Sequence, residues 1–203
     1  MMERLPKDFY LGGTVAVARA LLGQLLVRES PQGPTVCRIT ETEAYCGPGD
    51  RACHAYSRRS PQGRTSIMYA DGGHAYVYLI YGMYDCFNVV TRPAGDPQAV
   101  LVRSAQAVEG LPLMRLRRTR PGGQPPPDRE LLTGPGKLCR AMDITRDLYG
   151  QPLWGDRLYL ARGGPVPDEE ILSGPRINVD YAGADAALPY RFGLLGGPLS
   201  RRF

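Results

Sequence analysis

The sequence predicts a mixed α/β protein of the α+β type: a single domain with a curved, mainly antiparallel β-sheet, flanking helices and a protruding β-hairpin. Two observations support this fold class. Several short segments rich in β-branched and aromatic residues are separated by glycine and proline turns, whereas helical periodicity is confined to a few short stretches. The chain has 203 residues, of which 43% are hydrophobic, and this size suits one hydrophobic core.

In the first part of the chain, a helix is predicted at 14–23, where Thr14 can cap the helix and apolar residues recur with helical spacing. Strands are predicted at 24–29 and 36–45, and a turn rich in proline and glycine joins them. Residues 46–73 contain many Gly, Pro, Ser and Arg residues, which indicates a segment that is mostly loop.

The central part of the chain contains the predicted hairpin, two strands within 74–90 joined by a tight turn near Gly82. A further strand is predicted at 98–103. Residues 121–128, PGGQPPPD, have the composition of a flexible surface loop. Part of 129–142 is predicted to be helical, with an interruption at its Gly-Pro-Gly, and the rest of the chain alternates short strands with proline-rich turns.

The charge of the chain favours a polyanionic partner. Net charge is +5 and the sequence pI is about 9.0, and arginine supplies 23 of the 25 basic residues. Guanidinium groups match phosphate oxygens bidentately, so an arginine-rich surface suits a nucleic-acid backbone. A base-composition bias of the genome would also raise arginine, glycine and proline together, and composition alone does not separate the two interpretations.

The cysteines predict neither a disulfide framework nor a metal cage. Five cysteines are present, their spacing is irregular and no CxxC occurs. Cys46, Cys53 and His54 form the one cluster that suggests a metal, but their gaps match no usual ligand pattern. No stretch approaches the roughly 18 apolar residues of a membrane span. MMERLPKDFY lacks the apolar segment of a signal peptide. We therefore expect a cytoplasmic protein without a metal.

The second predicted strand carries the first candidate for chemistry. Because side chains alternate across a strand, Glu41, Glu43 and Tyr45 are predicted to share one face with Cys37 and Ile39. A carboxylate on a partly buried face has a raised pKa and can act as a base, and a tyrosine ring beside it can hold a planar group. The alternative is an edge strand with two solvated glutamates.

The predicted hairpin carries four tyrosines, one of them at its tip. Tyr76 and Tyr78 fall on one face of the first strand, where tyrosines usually pack in a core or against neighbouring strands. Tyr81 lies next to the turn and is expected to be exposed, which favours an interaction site such as a wedge between stacked bases. Asn88, between two apolar neighbours, needs hydrogen-bond partners from the protein or from a ligand.

Together these segments closely resemble the alkyladenine, or 3-methyladenine, DNA glycosylases. The resemblance is carried by ETEAYCGPGDRACH, HAYVYLIYGMYDCFNVV, AVLVRSAQAVEG, LLTGPGKLCRAMDI and PRINVDYAG…PYRF, at residues 41–54, 74–90, 99–110, 131–144 and 175–192. It runs from LPKDFY to the final RRF, nearly the whole chain. The fold of this family is similar to that of a formyltransferase C-terminal domain, and the resemblance implies the same fold here.

The resemblance implies a catalytic assignment. Glu43, the second glutamate of ETEAY, matches the general base that activates water against the sugar C1′ atom, and Arg103 matches a residue that helps to hold this water. Glu41 has no catalytic match and is expected to be structural. No lysine or terminal amine lies in the matched motif. The implied reaction is therefore hydrolysis to an abasic site by a monofunctional glycosylase, without a metal or an organic cofactor.

The resemblance also implies a base-binding pocket. Tyr45, His54 and Tyr78 match the residues that sandwich and contact a flipped base. Tyr81 matches the ring that fills the gap left in the DNA stack, and Asn88 matches the residue that discriminates against the exocyclic amino group of normal guanine. Positively charged alkyl purines such as 3-methyladenine and 7-methylguanine are the expected substrates, with hypoxanthine and etheno-adenine as further candidates.

The expected partner is double-stranded DNA that contains a damaged purine, bound by a monomer. Arg58, Arg59 and Arg64 lie in a stretch that resembles the family in character only. Together with Lys137 they are the candidate phosphate contacts. The insert PGGQPPP has no clear counterpart in the family, and neither segment is expected to touch the catalytic motif.

Three other classes of function share features with this sequence. LTGPGKL at 132–138 superficially resembles the hairpin of helix-hairpin-helix glycosylases, with Asp156 as the downstream acid, although the long helices of that class are not predicted. A small basic β-rich domain could also be a non-enzymatic nucleic-acid-binding module with stacking tyrosines. Against this, a binding module has no reason to place Glu43 beside its stacking ring. A zinc deaminase is excluded because HxE and PCxxC are absent.

Overall fold

The computed structural model describes residues 2–58, 62–198 and 200, and an eight-stranded β-sheet forms its centre. Every pair of neighbouring strands is antiparallel. In chain order the strands are β1 (Leu25–Ser30), β2 (Gly33–Tyr45), β3 (Ala75–Ile80), β4 (Tyr84–Thr91), β5 (Gln98–Glu109), β6 (Leu158–Ala161), β7 (Ile171–Gly174) and β8 (Arg191–Leu194). The prediction of a mixed fold with an antiparallel sheet is confirmed.

Strand β2 lies at the centre of the sheet, in which six strands follow the order β3-β4-β5-β2-β1-β6, while β8 pairs with β2 and β7 pairs with β8. One edge of β2 pairs with β5. The other edge pairs first with β1, as far as Arg38, and then with β8 from Glu41 to Glu43. The alternative of an edge strand with two solvated glutamates is therefore wrong: Glu41 and Glu43 are 1% and 0% exposed.

Two irregularities interrupt the pairing of β2 with β5 where β2 changes its other neighbour. The register shifts between Ile39 and Glu41 and again between Glu41 and Thr42. The first shift leaves Thr40 on β2 without a partner, and the second leaves Arg103 on β5 without one. Bulges of this kind break the strict alternation of side chains and redirect the residues around them.

The bulge corrects the predicted face of β2. Cys37 and Ile39 belong to the main core, and so does Ala44, whereas Tyr45 packs against smaller clusters. Ala44 and Tyr45 are neighbours in the strand and point to opposite faces. The prediction that Cys37 and Ile39 share a face with Glu43 and Tyr45 is therefore wrong, because the unpaired residue between them reverses the alternation.

Three α-helices contribute to the main core on the same face as Ala44: α1 (Thr14–Ala20), α2 (Leu111–Arg118) and α3 (Pro135–Met142). Helix α1 was predicted, but the prediction that Thr14 caps it is wrong. Its N-cap residue is Gly13, and Thr14 is the first helical residue. The Thr14 hydroxyl contacts the side chains of Thr91 and Gln98, so it ties the helix to the sheet instead of capping the backbone.

Outside the strands the predictions hold in part. Residues 46–73 contain short 3-10 helices at Gly47–Gly49, Tyr56–Arg58 and Gly63–Tyr69 in place of a plain loop, and residues 121–127 form turn and loop as predicted.

The hairpin of β3 and β4 is confirmed, with its turn at residues 81–83. Strand β5 runs well beyond 103, and α2 was not predicted at all.

Gly110 makes the turn from β5 into α2, and an alanine at this position tests how closely the turn is packed. Its φ is +78°, and an added Cβ would lie 2.5 Å from the Pro34 carbonyl oxygen. Gly95 has a φ of +88° with nothing within 4 Å. The left-handed backbone costs an alanine roughly 1–2 kcal/mol at either site. We predict that the free energy of unfolding falls by about 1–3 kcal/mol more in Gly110→Ala than in Gly95→Ala, because only the alanine at position 110 is too close to neighbouring atoms. Urea unfolding measures the stability of both variants. Equal losses of stability would contradict the close packing at Gly110.

Candidate active site

The register of the sheet brings the candidate residues into one row. Tyr76 on β3 lies opposite Asn88 on β4, Asn88 opposite Leu101 on β5, Leu101 opposite Glu43 on β2, and Glu43 opposite Arg191 on β8. Residues directly opposite each other in neighbouring strands point to the same face. Residues up to 148 positions apart in sequence therefore meet on one side of the sheet, across from the three helices.

A cavity of about 800 Å³ opens on this side. Part of the cavity wall consists of aromatic, amide and thiol side chains: Tyr45, Cys53, His54, Tyr76, Tyr78, Tyr84, Cys86, Asn88 and Tyr181. Another part is basic: Arg103, Arg118, Arg120, Lys137 and Arg140. The cavity thus combines surfaces suited to a planar ring with surfaces suited to anionic groups.

The aromatic wall is a packed group of rings. The centroids of His54 and Tyr78 are 4.8 Å apart in an edge-to-face arrangement, and those of Tyr76 and Tyr78 are 5.1 Å apart. His54 Nδ1 lies 2.8 Å from the Tyr76 hydroxyl oxygen. Burial raises the pKa of Tyr78 and of Tyr76 far above that of an exposed tyrosine, so both phenols stay neutral. Tyr76 was noted in the sequence without a role, and it orients the ring of His54.

Glu43 is fully buried and is held by two hydrogen bonds and an ion pair. The Ile177 backbone N–H donates to Oε1 at 2.8 Å, the Tyr45 hydroxyl donates to Oε2 at 2.7 Å, and Arg103 Nη1 lies 3.3 Å from Oε1. Tyr45, Arg103 and Ile177 all line the cavity. The carboxylate therefore lies behind its donors, one layer below the cavity surface.

Burial dominates the acid–base properties of Glu43. Desolvation raises its pKa above the usual value for glutamate, and Glu41 acts in the same direction. Arg103, the Ile177 N–H and the Tyr45 hydroxyl oppose this rise because each stabilises the charged carboxylate. A raised pKa makes a carboxylate a stronger base, and this property suits a group that takes a proton from water.

Glu41 belongs to the same buried cluster of ion pairs. Its Oε1 accepts a hydrogen bond from Arg103 Nε at 3.1 Å and lies 3.3 Å from Arg191 Nη1. Arg103 therefore bridges Glu41 and Glu43. Arg103, which the bulge leaves without a partner residue on β2, faces both carboxylates. The cluster of two carboxylates and two guanidiniums is balanced in charge.

The tip of the hairpin is exposed and apolar. Tyr81 is 71% exposed, and Met83 beside it is 68% exposed. Tyr81 has a φ of +53°, the left-handed region that a residue with a bulky side chain rarely adopts. A large ring in a strained conformation, with few contacts of its own, is a feature to be explained by interaction rather than by stability.

Asn88 is buried and rigid. Its Nδ2 donates to the Tyr76 carbonyl at 3.1 Å, and its side chain forms part of the cavity wall. The prediction that Asn88 contacts a base is compatible with this position, because an amide fixed by the backbone presents one unchanging surface to a ligand.

The predicted phosphate contacts are placed unevenly. Arg64 is exposed, and its guanidinium carbon lies 5.6 Å from the centroid of the Tyr78 ring. Lys137 is exposed on the first turn of α3 and lines the cavity. Arg59 and the side chain of Arg58 lie outside the described residues. Sequence reasoning missed Arg118 and Arg120, which lie in and just after α2, a helix that was not predicted.

Sequence reasoning also missed the segment that reaches Glu43 from the C-terminal part of the chain. Residues 175–179 form neither helix nor strand, and Ile177 donates to the carboxylate. PRIN had been noted as part of the family resemblance, but a backbone N–H carries no side-chain signal. Asp156, the alternative acid, is 91% exposed, pairs with Arg4 and is not part of the cavity wall.

Comparison with known proteins identifies the class of protein. The profile of the methylpurine-DNA glycosylases matches residues 8–198. A relative from Methanocella arvoryzae is 47% identical over 192 residues, which cover 94% of this chain and 92% of the relative. One from Bacillus cytotoxicus is 45% identical over 200 residues, covering 96% and 98%. Each is named, provisionally, as a 3-methyladenine DNA glycosylase.

The chain belongs to the methylpurine-DNA glycosylase family, and the resemblance noted in the sequence is confirmed. It is accordingly an enzyme of the DNA N-glycosylase class, a group of hydrolases that serve DNA repair. Within the described residues, no three histidine, cysteine, aspartate or glutamate side chains are grouped as metal ligands. No helix in the described part of the chain is long and apolar enough to cross a bilayer.

The Arg103–Glu43 contact predicts a measurable pKa change. Removing the guanidinium in Arg103→Met should raise the pKa of Glu43 further, because the nearby positive charge that favours the carboxylate is lost. Arg103→Lys keeps the charge and should move the pKa less. The 13C shift of the Glu43 carboxyl carbon, assigned with Glu43→Gln, reports the titration. An unchanged or lowered pKa in Arg103→Met would show that Arg103 does not control this carboxylate.

Proposed function

We propose that this enzyme excises alkylated purines from double-stranded DNA by hydrolysis of the N-glycosidic bond and leaves an abasic site. The observation that carries the proposal is Glu43: a fully buried carboxylate with a raised pKa, separated from an aromatic cavity only by Tyr45, Arg103 and Ile177. A pure binding module gains nothing from burying a carboxylate beside its stacking rings, since it would repel phosphate and costs desolvation.

The aromatic wall fits a positively charged purine such as 3-methyladenine or 7-methylguanine. A cationic ring that enters between Tyr45, His54 and Tyr78 gains cation–π attraction of roughly 0.5–2 kcal/mol. A base buried in a duplex cannot be attacked at its glycosidic bond, so it has to leave the stack to reach this wall. Asn88, fixed by the Tyr76 carbonyl, then meets the edge of the base and rejects a normal guanine through its exocyclic amino group.

Glu43 has hydrogen-bonding capacity left for a water molecule. A carboxylate has about four lone-pair directions, and the hydrogen bonds from the Ile177 N–H and the Tyr45 hydroxyl use two of them, while Arg103 pairs with Oε1 as an ion. The remaining direction on Oε2 accepts the proton of a water that attacks the sugar C1′ atom. Arg103 holds that water beside the carboxylate, and the charge on Glu43 stabilises the positive sugar that develops as the base departs.

The hairpin tip fits the extrusion step. The exposed ring of Tyr81 enters the gap that the flipped nucleotide leaves and offsets part of the unstacking, which costs a few kcal/mol. The strained backbone of Tyr81 keeps the ring outside the sheet, where a DNA duplex can be reached.

The basic wall fits the DNA backbone. Among the described residues, no ion pair joins Arg118, Arg120, Lys137 or Arg140 to a carboxylate. Partial burial lowers the pKa of Arg118, and Arg140 and Arg120 lower it further by repulsion. A phosphate bound here relieves that repulsion. Residues 121–126 run beside this wall, so the insert is part of the DNA-binding surface rather than remote from it.

The first test of the proposal is Glu43→Gln. We expect single-turnover release of 7-methylguanine or 3-methyladenine from a duplex, without added metal, to fall about 10²–10⁴-fold while the damaged duplex is still bound. For the wild type, the rate should rise with pH through the pKa of Glu43, because only the deprotonated carboxylate accepts a proton. Borohydride should trap no protein–DNA adduct, although Lys137 lines the cavity. Equal release by the two proteins would remove Glu43 from the mechanism.

A second test separates the function of Tyr81 from its stability. Tyr81→Gly should raise the free energy of unfolding by roughly 1 kcal/mol, because glycine adopts a positive φ without strain and the ring makes few contacts. The same change should slow excision, whereas Tyr81→Phe keeps the ring and should stay near the wild-type rate. Chemical unfolding and single-turnover assays measure the two effects. A Tyr81→Gly variant with full excision activity would contradict the wedge.

A further inference from the structure

A buried ion pair between Asp50 and Arg176 lies next to the candidate site but outside the cavity wall. Their side chains are 3% and 0% exposed. Arg176 Nη2 donates to Asp50 Oδ1 at 2.9 Å, and Nη1 donates to Oδ2. The pair is therefore bidentate and inaccessible to solvent. A buried pair of this kind is weak support for stability by itself, since two charges lose their hydration, so a different reason for its presence is needed.

Asp50 fixes the loop that carries His54. Besides the two bonds from Arg176, it accepts the backbone N–H of Cys46 at 2.9 Å and that of Ala52 at 3.0 Å. All four lone-pair directions of the carboxylate are then filled. The backbone of Asp50 also accepts the N–H of Cys53, the residue before His54. The path from the end of β2 to His54 is thus folded around this one carboxylate.

Arg176 fixes the segment that reaches Glu43. Its Nη1 donates to the Ala44 carbonyl at 3.0 Å and its Nη2 to the Asp185 carbonyl at 3.1 Å. The next residue, Ile177, donates its N–H to Glu43 at 2.8 Å. Because residues 175–179 form neither helix nor strand, the position of that N–H depends on side-chain anchors, and the two buried side chains of this stretch are Arg176 and Val179, of which Arg176 is next to Ile177.

Arg176 also supports the ring that borders the carboxylate. Its guanidinium carbon lies 5.0 Å from the centroid of the Tyr45 ring and 5.4 Å from that of Tyr190. The Tyr45 hydroxyl in turn donates to Glu43. One guanidinium therefore sets the place of both hydrogen-bond donors to Glu43, the Ile177 N–H and the Tyr45 hydroxyl, and through Asp50 it sets one further wall of the cavity.

We propose that Asp50 and Arg176 are positioning residues for the glycosylase reaction: they hold the Ile177 N–H and the Tyr45 hydroxyl on Glu43 and fix the loop of His54. The inference rests on the proposed role of Glu43 as the base. Neither residue is part of the cavity wall. The pair acts by keeping the carboxylate in one orientation and by limiting how far burial raises its pKa.

The groups that face Glu43 define what the pair controls. On β2 these are Glu41 and Tyr45, on β5 Arg103, on β8 Arg191, and from the C-terminal segment the Ile177 N–H and the Arg176 guanidinium. If the Ile177 N–H and the Tyr45 hydroxyl move away, both hydrogen bonds that favour the charged form are lost and only the guanidinium charges still favour it. The pKa of Glu43 then rises, and a larger share of the enzyme is protonated and inactive at neutral pH.

Arg176→Lys tests the proposal, because lysine keeps the charge but cannot reach both oxygens of Asp50 and two carbonyls at once. We expect single-turnover excision of 7-methylguanine at pH 7 to fall about 10–100-fold. We also expect the inflection of the pH–rate profile to move to higher pH. Binding of an undamaged duplex should stay at the wild-type level, because the basic wall and the hairpin tip are intact.

Leu160→Ala is the matched control. Leu160 is fully buried in β6, at the end of the sheet away from the hairpin, so the variant loses stability without touching the site. Its excision rate, measured well below its unfolding temperature, should keep the wild-type pH inflection. Asp50→Asn is the second test variant and should shift the inflection in the same direction as Arg176→Lys.

A measurement on the wild type keeps the proposal open to refutation if both variants misfold. The Ile177 amide proton should follow the titration of Glu43 in NMR spectra, and Glu43→Gln should abolish that titration. The proposal is overturned if the Ile177 amide does not titrate, or if Arg176→Lys folds and keeps the pH inflection of Leu160→Ala. Loss of the proposed function is a distinct result: the wild type releases no base, or Glu43→Gln releases it equally fast.

Discussion

The burial of Glu43 is the constraint on which the site depends. A carboxylate at the centre of a sheet loses its hydration, and the effective cost of burying an ion is several kcal/mol unless donors and a cation replace the water. Here these groups come from three parts of the chain: Tyr45 from the same strand, Arg103 from β5 and the Ile177 N–H from the C-terminal segment. The sheet, its bulges and the C-terminal segment are therefore coupled through one side chain.

The balance of charge around Glu43 explains why Glu41 is present. Glu41 and Glu43 face Arg103 and Arg191, so the cluster has no net charge. Without Glu41, the two guanidiniums would face a single carboxylate close to the cavity. With Glu41, the charge below the cavity surface is matched, and the excess positive charge lies on the wall formed by α2, α3 and the loop between them.

The sequence predicted the parts of the fold that depend on local pattern. The β3–β4 hairpin, β1 and the start of β5 follow from alternating β-branched and aromatic residues, and the exposed Tyr81 follows from its place beside the turn. The catalytic candidates came from family resemblance, and the structure places Glu43, Tyr45, Tyr78, Asn88 and Arg103 together on one face of the sheet.

Other features depend on contacts between distant residues, and local pattern does not contain them. The unpaired Thr40 reverses the faces of β2, but a bulge is defined by its partner strand, which begins 58 residues later. Arg176 and Asp50 are 126 residues apart, and neither stands out by type or spacing. Helix α2 was missed although its proline lies in the first turn, where proline is well tolerated, and arginine is a good helix former.

The separation of charge has a physical reason that links the two halves of the proposed reaction. Binding a DNA strand needs positive charge that phosphates can reach, and activating water needs a carboxylate that phosphates cannot reach. The structure meets both needs by depth. Glu43 lies below the cavity surface with its charge balanced, whereas Arg118, Arg120 and Lys137 line the same cavity without carboxylate partners among the described residues. In the proposed reaction, a DNA strand bound at the basic wall would therefore meet little repulsion from Glu43, and the extruded base would extend from that strand toward the carboxylate.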